Sequence, residues 1–321
     1  MLIKQEFWNS SFWKKCRSLF LFSLLAQLYR NCLEWQNIIL SKIFCPFYAY
    51  LAKGRSVALE QEKSKAIYVS LTSYPARIND AYFTICSILA QKEPVNKTIL
   101  TLTQEEFPDG ESQLPRSILA LRKQGLEILW AEKNLKPHNK YFYAMQKYPH
   151  AAIITIDDDI LYPRKTTTKL IKSYKNFPKA ISALCTDKFI LKNGKTLPYS
   201  QSIACYDTSI HTPRFDLSAE GFAGVLYPPS ILPKQAFDIS TIQECSPLAD
   251  DIWLKYMELL GNIPIVCASK YKNPIVVTRV QECALYKINK GNNQNDIQQQ
   301  KIIDYFSYID FDKKIQENVL S

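Results

Sequence analysis

The sequence of 321 residues predicts an α/β fold, a mostly parallel, doubly wound central sheet with flanking helices, preceded by a helical extension. Three observations predict it. Apolar runs alternate with helix-spaced segments between residues 66 and 156. The hydrophobic fraction, 47%, is enough for a sizeable core. The first and fourth apolar runs end in small polar or acidic residues, which suits strands whose carboxyl ends face a ligand crevice.

The elements follow in order. "AIYVSLTS" (66–73) reads as a strand, "INDAYFTICSILAQK" (78–92) as a helix and "KTILTLT" (97–103) as a second strand. "LPRSILALRKQG" (114–125) is a short helix with a glycine stop, and "LEILWAE" (126–132) a third strand. "NKYFYAMQKYP" (139–149) is a helix closed by Pro149, and "AAIITI" (151–156), apolar at five of six positions, a fourth strand. Beyond Pro163 the alternation weakens. "TTTKLIKSYKNFP" reads as a helix and "AISALC" as a strand, and a long irregular stretch follows. "SPLADDIWLKYMELLG" (246–261) starts like a helix, with Ser246 as N-cap and Pro247 at the first helical position. "INKGNNQNDIQQQ" (288–300) reads as a polar linker before a surface helix or tail. The chain thus divides into an extension (1–65), an α/β domain (66–285) and a polar C-terminal part (286–321).

The net charge of +10 is uneven. Residues 1–66 hold ten Lys/Arg and four Glu, a net +6, among aromatics and leucines such as "FWNSSFWKKCRSLFLFSLLAQLYR". The longest uncharged run in its first part, Ser18 to Tyr29, has 12 residues. As a helix it would reach ~18 Å, against a hydrocarbon core of ~30 Å. Too short to span, it suits a helix lying on an anionic membrane surface, or packing on the protein itself or a partner. The expectation is a cytoplasmic enzyme held peripherally on the inner face of the cytoplasmic membrane. The nine cysteines are scattered singly, without C-x-x-C, which argues for reduced core thiols rather than a disulfide framework or structural zinc. Glycines number only 8, with no G-x-G-x-x-G or Walker loop, so phosphates would have to be met by cations.

The fourth strand runs into Asp157, Asp158 and Asp159. If the segment stays extended, Asp157 and Asp159 point one way and Asp158 the other. Two converging carboxylates suit Mg²⁺ or Mn²⁺, although a solvated cluster capping a loop fits the same residues. A second pair, Asp250–Asp251, falls in the first turn of a helix, where the dipole favours ionised carboxylates. That is what a general base needs, and equally what helix stability alone would select.

At these residues a resemblance emerges. "VSLTSYPARI", "KPHNKYFYAMQKYP", "IITIDDDILYP", "GFAGVLYPP" and "SPLADDIWL", in this order, resemble a bacterial family of GT-A-fold glycosyltransferases of surface polysaccharide (capsule and lipopolysaccharide) biosynthesis. The resemblance covers roughly residues 66–270. It implies a GT-A, Rossmann-like sheet and a nucleotide-sugar donor, a UDP-sugar by preference. It also implies Mn²⁺ or Mg²⁺ as cofactor and a glycan or lipid-linked acceptor. By resemblance Asp157–Asp159 match the D-x-D, with Asp157 at the ribose and Asp159 on the metal; Asp157 and Asp158 count among the donor-binding residues and Asp157 as a second metal ligand. Asp250–Asp251 match the acidic pair at the acceptor, the second member serving as base. Thr72, Ser73, Tyr74 and Arg77 match the loop that contacts the nucleotide, and Lys140 a basic position near the phosphates. His138, close by, is a candidate for the base or ribose. Retaining relatives often place a metal-binding His downstream; none follows Asp251, which favours inversion.

Two other classes compete. A metal-dependent phosphoesterase or nuclease would also use a carboxylate cluster, but the positive excess lies in the apolar extension rather than the α/β domain, which speaks against nucleic acid. A non-catalytic membrane-associated scaffold would need neither Asp group.

Overall fold

The computed structural model describes residues 20–54, 66–207, 209–270, 274–277 and 293–317. The first part of the aromatic, basic stretch, residues 7–19, lies outside them. A long helix, α1 (Phe20–Lys53), comes first. Then follow β1 (Ile67–Thr72), α2 (Ile78–Leu89), β2 (Lys97–Thr103), α3 (Arg116–Ala120), β3 (Leu126–Ala131), α4 (Asn139–Lys147) and β4 (Ala152–Thr155). The middle of the chain holds β5 (Ile160–Leu161), α5 (Thr166–Asn176), β6 (Ile181–Ala183), β7 (Thr186–Lys188), β8 (Leu191–Lys192) and β9 (Lys195–Thr196). β10 (Pro213–Arg214), β11 (Leu217–Ala219), β12 (Val225–Tyr227), α6 (Ile239–Cys245), α7 (Asp250–Leu260) and β13 (Ile265–Cys267) come next. β14 (Ile275–Val276), α8 (Gln294–Tyr305) and α9 (Phe311–Gln316) complete the described elements.

Eight strands form the central sheet, in the order β10-β13-β6-β12-β4-β1-β2-β3. β3, β2, β1 and β4 are mutually parallel. β12 runs antiparallel between β4 and β6, while β6 and β13 are parallel to one another. The α/β class and the helix-flanked sheet expected from the sequence are therefore present. The reversal at β12 was not legible, because "GVLYPP" carries no directional signal. The chain winds from β1 outward to β3 and then returns to the other side of β1 for β4. The switch point, where ligands bind in such sheets, lies between the carboxyl ends of β1 and β4.

The strands form because they can be buried. Val69, Leu71, Leu100 and Ile154 are wholly buried in one core, and Ile181, Ala183, Val225 and Ile265 in a second. α1, α2 and α5 contribute to one core, and α4, α6, α7, α8 and α9 to the other. Gly125, at φ 97°, ends the 114–125 segment in the left-handed conformation that suits glycine.

Two expectations change. The 288–300 segment is not linker throughout: α8 begins at Gln294, and Gln298 and Gln299 are buried. Their amide oxygens accept backbone donors, Gln298 taking the Leu248 N–H (3.0 Å) and Gln299 the Tyr199 N–H (2.6 Å). The 246–261 helix starts at Asp250, not beyond Ser246, because the Ser246 hydroxyl donates to the Ala249 carbonyl (2.9 Å) instead of capping an N–H. The α1 helix buries Tyr48 and Ala52 but leaves Leu28, Trp35, Ile39, Ile43, Phe47 and Tyr50 exposed, from 43% to 75%. At 3.6 residues per turn these six fall in an arc of roughly 120°. No described helix is long and apolar enough to cross a membrane.

Gln91 joins α2 to the segment between β5 and α5. Its Nε2 donates to the carbonyls of Ser87 (2.9 Å) and Pro163 (3.0 Å), and its Oε1 accepts from the Thr167 N–H (3.2 Å). Gln91→Leu strands buried partners, and should lower stability by about 1–3 kcal/mol. Urea unfolding should show a lower midpoint with an unchanged slope.

Candidate active site

The carboxyl ends of β1 and β4 are held together by side chains. After β1 the chain turns, and the Ser73 hydroxyl donates to Asp158 Oδ2 (2.5 Å). Arg77, at the start of α2, places one guanidinium nitrogen 3.0 Å from Asp158 Oδ1 and 3.1 Å from Asp159 Oδ2. Its guanidinium also lies over the Tyr74 ring, 5.7 Å from the centroid. Burial works against the Arg77 charge, but Asp159 and Asp158 outweigh it and its pKa rises. The Thr72 hydroxyl donates to the Thr101 carbonyl (2.8 Å), tying β1 to β2 rather than reaching the crevice.

The expected alternation of the three aspartates does not hold. The backbone turns at Asp158–Asp159, so the period of an extended strand no longer applies. Asp158 and Asp159 share Arg77, while Asp157 faces Lys140. The turn is fixed from several sides. The Thr84 hydroxyl donates to the Asp158 carbonyl (2.8 Å), the Val277 N–H to the Asp159 carbonyl (2.7 Å), and the Asp157 N–H to the Tyr162 hydroxyl (3.0 Å). Asp158 is buried; desolvation raises its pKa despite Arg77 and Ser73.

Lys140, in the first turn of α4, is buried at 6% exposure. Its ammonium sits 2.9 Å from Asp157 Oδ1 and 2.8 Å from Asp250 Oδ2. Burial opposes its charge, yet Asp157, Asp250 and Asp251 together raise its pKa well above the usual lysine value. Asp250 and Asp251 open α7. Asp251 accepts the Gly221 N–H (3.2 Å). A Cβ on Gly221 would come within 2.7 Å of both Asp251 Oδ1 and Lys140 Nζ, so one of these side chains would have to shift to admit it. Burial first and Asp250 second push the Asp251 carboxyl up to about 8, with Lys140 opposing. The helix dipole expected to keep Asp251 ionised is thus opposed by desolvation and a like charge.

His138 is placed differently from its expected role at the donor. It is wholly buried, with Nε2 2.7 Å from the Ser246 carbonyl and Nδ1 3.2 Å from the Tyr141 hydroxyl. A carbonyl only accepts, so Nε2 carries the proton. Burial holds the ring neutral, down to about 4, against the raising pull of Asp250. His138 therefore fastens the start of α4 to the lead-in of α7 and underlies the Lys140–Asp250 contact.

Sequence reasoning did not find Glu220, Tyr199 or Asp187. The Tyr199 hydroxyl donates to Glu220 (3.0 Å). Burial, then Asp187 and Asp251, raise the Glu220 carboxyl well above its usual value. Only its position directly before "GFAGVLYPP" pointed to it. Nor was it legible that two of the singly scattered cysteines meet, with Cys185 and Cys205 sulfurs 3.6 Å apart beside Asp187.

The chain matches no family model and no curated protein. Among solved structures it is similar to the mannosyltransferase PcManGT from Pyrobaculum calidifontis in complex with GDP-Man and Mn²⁺, at 12% identity, covering 84% of this chain and 74% of that one, with a TM-score of 0.45. It is also similar to S. aureus TarS 1-349 in complex with UDP, at 12% identity over 65% of this chain and 59% of that one, with a TM-score of 0.41. GalNAc-T7 with UDP, GalNAc and Mn²⁺ is similar at 9% identity over 73% of this chain and 51% of that one, with a TM-score of 0.42. The chain thus spans less than two thirds of the latter two.

The site's acids have a consequence for stability. A carboxyl raised from 3.8 to about 8 in the folded state stabilises it fully below pH ~4, and that contribution is lost as pH rises through about 8. In the presence of chelator, Asp251→Asn should therefore gain thermal stability relative to the parent protein as pH rises from 5 to 9. Melting curves that move in parallel across that range would refute the raised carboxyl.

Proposed function

We propose that the protein is a metal-dependent glycosyltransferase, moving a sugar from a nucleotide-diphosphate donor to a glycan or lipid-linked acceptor with inversion. One observation carries the reading. At the sheet's switch point five aspartates, from the β4 turn and the start of α7, gather around two cations, the buried Lys140 and the half-buried Arg77. The motif resemblance supports the same reading and adds its setting, bacterial surface polysaccharide assembly.

The donors are all carboxylate oxygens, the chemistry of a divalent-cation site, although Asp157 is paired with Lys140 and Asp159 with Arg77, and among the described residues the group of three ligands close enough to share one ion is Cys185, Asp187 and Cys205. Five carboxylates face two positive side chains, and burial first and Asp250 second raise the Asp251 carboxyl. Oxygen ligands of this kind suit Mg²⁺ or Mn²⁺. Asp159 and Asp157 would hold the ion, which when bound supplies positive charge for the donor diphosphate.

The chain's own residues do the rest. Arg77 and Lys140 lie where the donor phosphates would enter, and supply the cations that a glycine-poor chain needs. Ser73 and Tyr74 line the nucleotide side of the crevice, with Asp158 locking that loop through Ser73. Asp251, with a pKa near neutrality in the metal-free protein, suits a general base. The acceptor oxygen attacks the anomeric carbon from the face opposite the diphosphate. Its proton passes to Asp251 as the bond to the diphosphate oxygen breaks, and the diphosphate departs with the electron pair. Asp250 holds Lys140 in place and orients the acceptor hydroxyls.

The exposed apolar stripe of α1 and the +6 charge of residues 1–66 support a seat on the inner face of the cytoplasmic membrane.

Asp251→Asn should lower kcat by about 10²–10⁴-fold while nucleotide affinity is retained. Turnover in the Asn variant close to the parent, or a product with the donor's anomeric configuration by NMR, would remove Asp251 as base of an inverting transfer. Separately, Asp159→Asn should fold normally yet lose Mn²⁺-dependent binding of UDP or GDP in calorimetry. Unchanged metal-dependent affinity would reassign the ligand.

A further inference from the structure

Beside β7 the fold brings together two thiols and a carboxylate. β7 pairs antiparallel with β11, and the Glu220 N–H extends that ladder by donating to the Cys185 carbonyl (3.1 Å). Cys185 and Asp187 are two residues apart along this extended run, so their side chains leave it on one side. The segment 203–206 returns alongside. Lys188 and Ile203 exchange backbone bonds (2.9 Å each), the Tyr206 N–H donates to the Thr186 carbonyl (2.7 Å), and the Thr186 hydroxyl to the Tyr206 carbonyl (2.8 Å). Between these ties Cys205 takes the left-handed conformation, at φ 53°, and its N–H donates to Asp187 Oδ1 (2.8 Å). The result is that its sulfur lies 3.6 Å from that of Cys185. Spacing does not reveal this meeting, since the two cysteines are 20 residues apart.

The arrangement has the dimensions of a metal site. One ligand atom from each of Cys185, Asp187 and Cys205 lies within 4.8 Å of the other two. Two thiolates on a tetrahedral zinc ion, each at ~2.3 Å, stand about 3.8 Å apart. The observed 3.6 Å needs little adjustment to reach that, and both thiols are free. Sulfur ligands select zinc and similarly soft ions, whereas oxygen ligands alone suit Mg²⁺ or Mn²⁺. The trio therefore differs in kind from the aspartates at the switch point. Cys185 is buried, but Cys205 is half-buried and follows the exposed Ala204, which gives an ion a way in.

We propose that Cys185, Asp187 and Cys205 bind zinc, or a divalent ion of similar softness, at a second metal site separate from the aspartates. Three protein ligands leave a fourth position to water. The ion pins the 199–206 segment to β7, and its surroundings lead to the candidate base. The Tyr199 hydroxyl, which donates to Glu220, lies 3.5 Å from Asp187 Oδ2. Glu220 holds Cys185 through its N–H, and the next residue, Gly221, donates to Asp251. The site stands on its own ligands, whether or not the aspartates serve sugar transfer.

The test is a titration of the full chain with Co²⁺, after reduction with a phosphine and removal of metal by chelator and desalting. Cobalt reports thiolate ligands by sulfur-to-metal charge-transfer absorption. The parent protein should develop that absorption, Zn²⁺ should bleach it, and Mn²⁺ at the same concentration should not. Cys185→Ser/Cys205→Ser should remove it, while Asp159→Asn should leave it unchanged. Asp187→Asn keeps a side-chain oxygen for the Cys205 N–H. It should retain the absorption but weaken Co²⁺ binding by at least about tenfold, the low end of what losing even an outer partner of a metal costs. Zn²⁺ should also raise the melting temperature of the reduced parent and leave that of the double serine variant unmoved, a readout that holds even if that variant is less stable. Absorption that survives in the double variant would belong to other cysteines and overturn the site. Absorption lost in Asp159→Asn would place the ion at the aspartates and overturn it equally. A reduced parent that shows no absorption would refute the metal, and non-reducing peptide mapping that then joins Cys185 to Cys205 would make the pair a disulfide switch instead.

Discussion

The Lys140 ammonium, buried between Asp157 and Asp250, is the contact on which the rest of the site depends. It joins three elements distant in sequence: the start of α4, the turn after β4 and the start of α7. Removing one partner of such a buried pair typically costs about 3–5 kcal/mol, because the other charges stay behind unpaired. The surroundings of Lys140 are accordingly specified in detail. His138, two residues earlier, is neutral and bonded to the Ser246 carbonyl, which fixes α4 against the lead-in of α7. Gly221 leaves room for the ammonium and Asp251 where any Cβ would collide.

Arg77 does for the other half of the turn what Lys140 does for Asp157. It takes Asp158 and Asp159 together, and Ser73 takes the second oxygen of Asp158. The two cations divide the acids between them but do not neutralise them. The residual negative charge shows in Asp251, and further along in Glu220, whose carboxyls burial and neighbouring acids hold above their usual values. A stable domain has little reason to gather carboxylates that raise one another's pKa. A site that receives a cation and gives up a proton at neutral pH has such a reason.

Much of this was legible in the sequence, and for physical reasons. Period and apolarity mark β1, β2 and β4, because strands buried on both faces need near-continuous apolar runs, and they mark β3 at the sheet edge as well. Three consecutive aspartates after such a run announce an edge with chemistry. What was not legible depends on contacts between distant segments. The antiparallel entry of β12 between β4 and β6, the burial of His138, and the meeting of Cys185 with Cys205 leave no local pattern. Ser246 looked like a helix cap because a serine before proline usually is one; the structure uses its hydroxyl and carbonyl for other partners. The buried glutamines of α8 read as linker because polar composition reports exposure only when amides lack partners, and Gln298 and Gln299 have them.

The net charge of +10 conceals a separation that composition cannot express. The acids collect at the switch point, and Lys92, Arg164, Lys165, Lys169 and Lys270 line a cleft behind Tyr162 and Phe222. Were the two groups in contact, they would pair and cancel. The wall between them prevents that, and it is built from hydrogen bonds on both sides: the Asp157 N–H to the Tyr162 hydroxyl, that hydroxyl to the Phe222 carbonyl, and the Gly221 N–H to Asp251. A single short turn, 221–223, thus faces the negative site through one residue and that cleft through the next two. Any shift of that turn moves both surfaces together.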